Sequence, residues 1–96
     1  MDVAKLLKEK REEILVIAAR RGAYNVRVFG SVARGNSQES SDIDFLVDLE
    51  HGRTLLDIGG LLMDLSKLLG CDVDIVTEKG LNEDFRDDVL KEAIPL

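Results

Sequence analysis

Two short motifs in this sequence combine residue types that suit phosphate and metal chemistry. The first is Gly30-Ser31, which ends an apolar run and is followed by Arg34. The second is Asp42-Ile43-Asp44, in which two carboxylates at i and i+2 lie inside another apolar run. Glycine lets backbone N–H groups approach a phosphate closely, and serine and arginine side chains can donate further hydrogen bonds. This order predicts a phosphate cradle directly before a pair of metal-binding carboxylates.

The carboxylates of Asp42 and Asp44 favour a divalent cation. Side chains at i and i+2 of a strand project from the same face, about 6.5–7 Å apart along it. Two ionised carboxylates about 6 Å apart repel each other by about 3 kcal/mol at an effective dielectric constant of 20. All-oxygen ligation of this kind suits Mg²⁺ or Mn²⁺.

A third carboxylate follows in Asp72-Val73-Asp74. The alternation of this segment cannot choose between Asp72 and Asp74, because both side chains share a face. Either one would supply enough ligands for two metal ions about 3.5–4 Å apart, which is the spacing that holds attacking and leaving oxygens in phosphoryl chemistry.

Together the motifs predict a nucleotidyl-transfer site. Gly30, Ser31 and Arg34 would hold the outer phosphates of a nucleoside triphosphate, and the metals would contact its α-phosphate, where a hydroxyl attacks and pyrophosphate leaves. Each motif alone is weak, since most Asp-x-Asp sequences are surface acids and most Gly-Ser pairs are ordinary turns. Other polar residues are expected to be structural: His51 in a turn, Cys71 as a packed small residue and Asp48 as a solvated acid.

Length, composition and charge restrict the class of protein. With 96 residues, 45% hydrophobic and 33% charged, the chain is expected to form one globular domain over residues 1–96. The single cysteine fits a reducing cytoplasm, and no apolar run forms a membrane span or a signal peptide. A net charge of −6 argues against direct nucleic-acid binding, because such proteins neutralise backbone phosphates with a basic face.

The periodicity of apolar residues predicts the elements that position the motifs. A single helical turn is expected at 30–34, a polar surface loop at 36–41, and a capping box at Thr54 and Asp57. The predicted helices span 3–21, 55–69 and 82–93, and the predicted strands span 24–29, 42–49 and 72–76.

The order α-β-α-β-α-β-α predicts an α/β (α+β) fold with a small mixed sheet of about three strands and helices on one face. The second and third strands flank a helix, so they are predicted to be parallel. If they are neighbours, Asp72 and Asp74 share a face with Asp42 and Asp44, opposite the face that packs against the helices.

The predicted helix over 55–69 is more apolar than one core-facing side requires. Either deep burial or contact with a partner protein would explain the excess. Its apolar residues are Leu55, Leu56, Ile58, Leu61, Leu62, Met63, Leu65, Leu68 and Leu69.

These motifs resemble the pattern of the DNA polymerase beta nucleotidyltransferase superfamily. Gly30-Ser31, Asp42-Ile43-Asp44 and Asp74 match its GS…D-x-D…D motif, and the resemblance covers nearly the whole chain. The segments 30–35 and 68–76 resemble the minimal nucleotidyltransferases in particular. The resemblance implies a polymerase-beta-like nucleotidyltransferase fold.

The resemblance also implies the ligands of the site. It places the third metal carboxylate at Asp74, so that Asp42, Asp44 and Asp74 hold two Mg²⁺ ions, or Mn²⁺. It implies ATP as co-substrate, with its triphosphate bound by Gly30 and Ser31. Arg34 is an additional candidate contact to the triphosphate.

Minimal nucleotidyltransferases are typically encoded beside HEPN-domain ribonucleases, so the resemblance implies the antitoxin of a type VII toxin–antitoxin pair. Such antitoxins transfer AMP from ATP to a tyrosine hydroxyl of the toxin and thereby silence it. The implied partner is a HEPN-family ribonuclease toxin in a hetero-oligomer. Two alternatives stay open, namely an antitoxin that acts by binding alone, and nucleotidyl transfer to a small molecule or an RNA end.

Overall fold

A computed structural model describes residues 3–35 and 42–96, and it confirms the predicted mixed α/β fold. The predicted loop at 36–41 lies outside the described residues. The helices are α1 (Val3–Glu9), α2 (Arg11–Arg20), α3 (Leu55–Leu69) and α4 (Glu83–Glu92), with a short 3-10 helix at Glu78–Gly80 before α4. The strands are β1 (Ala23–Phe29), β2 (Ile43–Leu49), β3 (Val73–Thr77) and β4 (Ile94–Pro95).

The described strands form one mixed sheet in the order β3-β2-β1-β4. β2 and β3 are parallel, as the βαβ order predicted, whereas β1 is antiparallel to both β2 and β4. The sequence predicts about three strands, and the two-residue β4 is the addition. Pro95 ends the preceding helix, but a proline is tolerated on an edge strand, where its missing N–H is not needed for pairing.

The main core lies between one face of the sheet and α1, α2 and α3. Every second residue of β2 faces this core, as the alternation predicted. The most deeply buried members, none of which is more than 1% exposed, are Ile14, Ala18, Ile43, Phe45, Val47, Leu61 and Leu65. The intervening residues of β2 include Asp44 and project from the opposite face.

The second face of the sheet is partly covered as well. Leu46 of β2 lies on this face and is fully buried. α4 makes side-chain contacts here, since Arg86 bonds to Glu78 and Glu92 reaches Gly30. The sequence predicts helices on one face of the sheet, and α1, α2 and α3 do pack there. α4 instead contacts the opposite face, which carries Asp44 and is called the carboxylate face below.

The first predicted helix is interrupted at Lys10, where φ is −98° and ψ is 6°. The interruption lies in a run of polar residues, 8–13, in which no side chain is buried. The buried anchors of α1 and α2 lie on either side of this run, so core packing does not hold its backbone in ideal helical geometry. α1 and α2 therefore pack as two short helices rather than one long one.

The predicted capping box fixes the start of α3. The N–H of Leu56 donates to Oγ1 of Thr54, and the N–H of Thr54 donates to Oδ2 of Asp57, both at 3.2 Å. These bonds satisfy backbone donors that the first turn of a helix leaves unpaired.

None of the helices in the described part of the chain is long and apolar enough to cross a membrane.

Candidate active site

The parallel pairing of β2 and β3 brings two of the predicted metal ligands together. Asp44 and Asp74 are register partners, and neighbouring strands lie about 4.8 Å apart. The carboxylates of Asp74 and of Asp42, two residues before Asp44, both act on the Asp44 carboxyl electrostatically. The three carboxylates predicted as ligands therefore converge at one end of β2 and β3.

The environment of Asp44 disfavours a negative charge. Burial raises the pKa of the Asp44 carboxyl, and the charges of Asp74, Asp42 and Glu92 raise it further. A bound cation would offset the repulsion among these carboxylates, so the cluster favours a positive charge beside Asp44.

The donor set fits a hard divalent cation, because all of these ligands are carboxylate oxygens. Within residues 3–35 and 42–96, no three His, Cys, Asp or Glu side chains already adopt the geometry of a metal site. The fit to Mg²⁺ or Mn²⁺ therefore rests on the chemistry of the ligands and on their mutual repulsion.

Gly30 lies directly against the carboxylate of Asp44. Phe29 and Asp44 are register partners across β1 and β2, so the chain leaves β1 beside this carboxylate. Gly30 has a φ of +73°, and a Cβ at this position would lie 2.2 Å from Oδ2 of Asp44. Both the left-handed backbone and the close approach require glycine.

The predicted single helical turn follows Gly30. The N–H of Arg34 donates to the carbonyl of Gly30 at 3.1 Å, and no longer helix forms there. Ser31 lies half-buried within this turn, and Arg34 is exposed at its end. The predicted phosphate cradle and the predicted metal ligands are therefore adjacent.

A carboxylate that the sequence reasoning missed lies in the cradle. The N–H of Gly30 donates to Oε2 of Glu92 at 2.9 Å, and the Arg34 guanidinium donates to Oε1 of the same side chain. Gly30 and Glu92 are 62 residues apart, so no local pattern connects them. The one sequence signal is that an acidic residue at the end of a helix is disfavoured by the helix dipole.

The structure corrects the expectation that Asp48 is a solvated acid. Oδ1 of Asp48 lies 3.2 Å from the guanidinium of Arg27, which is only 8% exposed and also lies 3.5 Å from Glu78. Arg27 is a nearly buried cation on the carboxylate face, and it pairs with acids beyond the cluster of Asp42, Asp44 and Asp74. The sequence signal for this buried ion pair was an arginine between Val26 and Val28 in a predicted strand.

The two other residues expected to be structural behave as predicted. His51 is exposed in a turn. Cys71 packs against the core, and burial together with the charges of Asp72 and Asp42 raises the pKa of its thiol. A thiol of raised pKa is a poor nucleophile at neutral pH.

A cavity of about 680 Å³ lies away from the carboxylate cluster, at the opposite ends of β2 and β3. Its wall includes the cations Arg53 and Arg86, but these are paired with Glu50, Asp57 and Glu78. The two arginines of the cavity wall are therefore neutralised by neighbouring acids. The cavity does not concentrate charge of one sign, as the cluster of carboxylates around Asp44 does.

A family model described as a nucleotidyltransferase domain matches residues 5–96. The chain belongs to this family. Among its relatives is the protein adenylyltransferase MntA of Thermococcus cleftensis, which is 37% identical over 96% of this chain and 98% of the relative. The predicted family is thereby confirmed, and this chain is a nucleotidyltransferase.

Solved structures share the fold. One described as a minimal nucleotidyltransferase is 55% identical, with a TM-score of 0.89 over 100% of this chain and 97% of that one. A toxin–antitoxin structure with AMP-PNP is 21% identical, with a TM-score of 0.75 over 88% of this chain and 69% of that one. The second likeness shows the fold alone, and neither assigns a role to an individual residue of this chain.

Proposed function

We propose that this nucleotidyltransferase is the antitoxin of a type VII toxin–antitoxin pair and transfers AMP from ATP to a tyrosine hydroxyl of a HEPN-family ribonuclease toxin. The observation that carries the proposal is the contact between Gly30 and Asp44, because the turn that would bind phosphate lies next to the carboxylates that would bind metal. The name of the Thermococcus cleftensis relative, a protein adenylyltransferase that matches nearly the whole chain, supports a protein acceptor.

Each predicted site residue has a separate task in this proposal. Asp42, Asp44 and Asp74 would hold Mg²⁺ or Mn²⁺, which when bound neutralises phosphate charge. The Gly30 N–H, the Ser31 hydroxyl and the Arg34 guanidinium would bind the triphosphate and orient its α-phosphate.

The transfer itself exchanges one bond at phosphorus for another. The acceptor oxygen bonds to the α-phosphorus, the bond from that phosphorus to the bridging oxygen breaks, and pyrophosphate leaves. Asp74 is proposed to accept the proton of the attacking hydroxyl. Its side chain is exposed, whereas that of Asp44 is half-buried, so Asp74 is the member of the pair that an acceptor can approach from solvent.

The surface of α3 supports a protein partner. Leu55 and Leu56 are 86% and 85% exposed, and Met63 is exposed on the same helix. Deep burial therefore does not account for the excess of apolar residues in α3. An exposed apolar patch of this kind is typical of a protein-binding surface, and we assign it to the toxin.

The test is transfer of label from α-³²P-ATP to the cognate HEPN ribonuclease in the presence of Mg²⁺. We expect label on the toxin with the wild-type protein and none with the Asp42→Asn, Asp44→Asn double variant. Label on RNA instead of protein would contradict the proposed acceptor. Toxin neutralisation by a folded double variant would show that binding alone is sufficient.

A further inference from the structure

Glu92 binds the same groups that would hold the triphosphate. Its two carboxylate oxygens accept hydrogen bonds from the Gly30 N–H and from the Arg34 guanidinium. A backbone N–H makes one well-aligned hydrogen bond at a time. A phosphate oxygen can therefore bind the Gly30 N–H only when Glu92 has left it.

The backbone around Glu92 is held in place on both sides. On its C-terminal side, Ile94 pairs with Val28, and the N–H of Leu96 donates to the carbonyl of Val26 at 3.0 Å. On its N-terminal side, Glu92 is the last residue of the ten-residue helix α4. Rotation of the Glu92 side chain is therefore the simplest way to vacate the cradle.

The position of Glu92 is electrostatically unfavourable apart from these two contacts. The carboxylate lies at the C-terminal end of a helix, where the helix dipole disfavours negative charge. It also lies near enough to Asp44 to disfavour the charged form of that residue. The Gly30 N–H and Arg34 stabilise it there, as they would stabilise any anion in the cradle.

We infer that Glu92 is an internal anion that competes with the outer phosphates of ATP, and with pyrophosphate, for Gly30 and Arg34. This inference rests on the proposed function, because it takes the turn after β1 to be the triphosphate site. ATP binding displaces the Glu92 carboxylate. After AMP transfer, the returning carboxylate competes with pyrophosphate and favours its release.

The test compares ligand affinities of the wild-type protein and the Glu92→Gln variant by calorimetry. Glutamine keeps the shape of the side chain but removes its charge. The variant removes the charge that competes with the phosphates, so we expect Mg-ATP and Mg-pyrophosphate to bind about tenfold more tightly to it. AMP has no outer phosphates, so its affinity is expected to stay unchanged.

Glu83→Gln is the matched control. Glu83 is exposed in the first turn of α4, so this variant removes the same charge from the same helix at a distance from the cradle. We expect wild-type affinities for all three ligands. Equal tightening by Glu83→Gln, or equal tightening of AMP by Glu92→Gln, would overturn the inference, because either result indicates a general effect of net charge.

The remaining outcomes distinguish a failure of this inference from a failure of the proposed function. If Mg-ATP binds the wild-type protein as tightly as it binds Glu92→Gln, or more tightly, Glu92 is not a competitor. If Mg-ATP binds neither protein, the proposed function itself is contradicted. Binding to the variant alone supports both.

A measurement on the wild-type protein covers the case in which Glu92→Gln does not fold. The hydrogen bond from the Gly30 N–H to Oε2 of Glu92 can be followed by NMR as a scalar coupling between the Gly30 nitrogen and the Glu92 carboxyl carbon. We expect this coupling to disappear when Mg-pyrophosphate saturates the protein. A coupling that persists at saturation would overturn the inference.

Discussion

At the residue scale, the contact between Gly30 and Asp44 positions the turn that is proposed to bind phosphate. A Gly30→Ala variant adds a methyl carbon 2.2 Å from Oδ2 of Asp44, so the carboxylate has to move. The variant also strains the left-handed backbone at this position. We expect a loss of about 1–2 kcal/mol from backbone strain, a further loss from the displaced carboxylate, and no AMP transfer. Urea unfolding and the labelling assay measure the two effects.

Gly52→Ala is the control for backbone strain. Gly52 also has a positive φ, +89°, but a Cβ there would meet no atom within 4 Å. We expect this variant to lose only the backbone contribution and to keep its transferase activity. Equal unfolding free energies and equal activities of the two variants would contradict the role given to Gly30.

The raised pKa of Asp44 makes a prediction about stability. An ionised Asp44 is destabilised by burial and by the neighbouring carboxylates, so Asp44→Asn is expected to raise the melting temperature of the metal-free protein at pH 7. The same variant is expected to lose transferase activity. Asp88→Asn on the exposed side of α4 removes one charge elsewhere and is expected to leave the melting temperature unchanged.

The pH dependence follows from the direction of this pKa shift. Above the raised pKa, the folded wild-type protein carries the unfavourable charge, so the stability advantage of Asp44→Asn is largest there. As the pH falls through the raised pKa, the folded state takes up a proton before the unfolded state does, and the advantage decreases. Melting curves of both proteins from pH 8 to pH 4 measure the difference, and a difference independent of pH would contradict the assignment.

At the element scale, Arg27 connects three parts of the carboxylate face. It extends from β1 to Asp48 of β2 and to Glu78 in the 3-10 helix after β3. Arg27→Met leaves both acids without their buried partner, and we expect a loss of about 1–3 kcal/mol in unfolding free energy. Urea unfolding measures this loss.

Arg53→Met is the matched comparison. Arg53 also pairs with two acids, Glu50 and Asp57, but at the surface. Exposed ion pairs contribute about 0–1 kcal/mol, so the loss is expected to be much smaller than that of Arg27→Met. Similar losses of unfolding free energy in both variants would indicate that burial does not make the ion pairs of Arg27 more stabilising.

At the scale of the whole molecule, the proposed catalytic cluster and the exposed face of α3 are separate surfaces. The carboxylates lie on the face of the sheet opposite the one that packs against α3. A Leu55→Glu, Leu56→Glu variant is therefore expected to keep its melting temperature and its affinity for Mg-ATP but to lose binding to the toxin. Co-purification with the toxin and calorimetry measure the two properties.

Leu61→Ala on the same helix is expected to lose stability rather than toxin binding. Leu61 is fully buried, and its truncation is expected to cost about 2–5 kcal/mol of stability.

Toxin binding by the Leu55→Glu, Leu56→Glu variant at wild-type strength would exclude the exposed face of α3 as the contact surface.

The sequence alone determined the features that depend on neighbouring residues. The period-2 pattern of β2 placed Asp42 and Asp44 on the face opposite the core, and the intervening helix required β2 and β3 to be parallel. Spacing along the chain fixes side-chain direction in strands, which explains why these predictions and that of the α3 capping box are confirmed.

Only the tertiary structure decided the contacts between residues that are distant in sequence. It placed Glu92 in the cradle at Gly30, paired Arg27 with Asp48, and added β4, which contains Pro95, beside β1. It also broke the first helix at Lys10, because the core holds α1 and α2 on either side of the polar run. These features depend on how helices and strands pack against one another, and no period of the sequence encodes that arrangement.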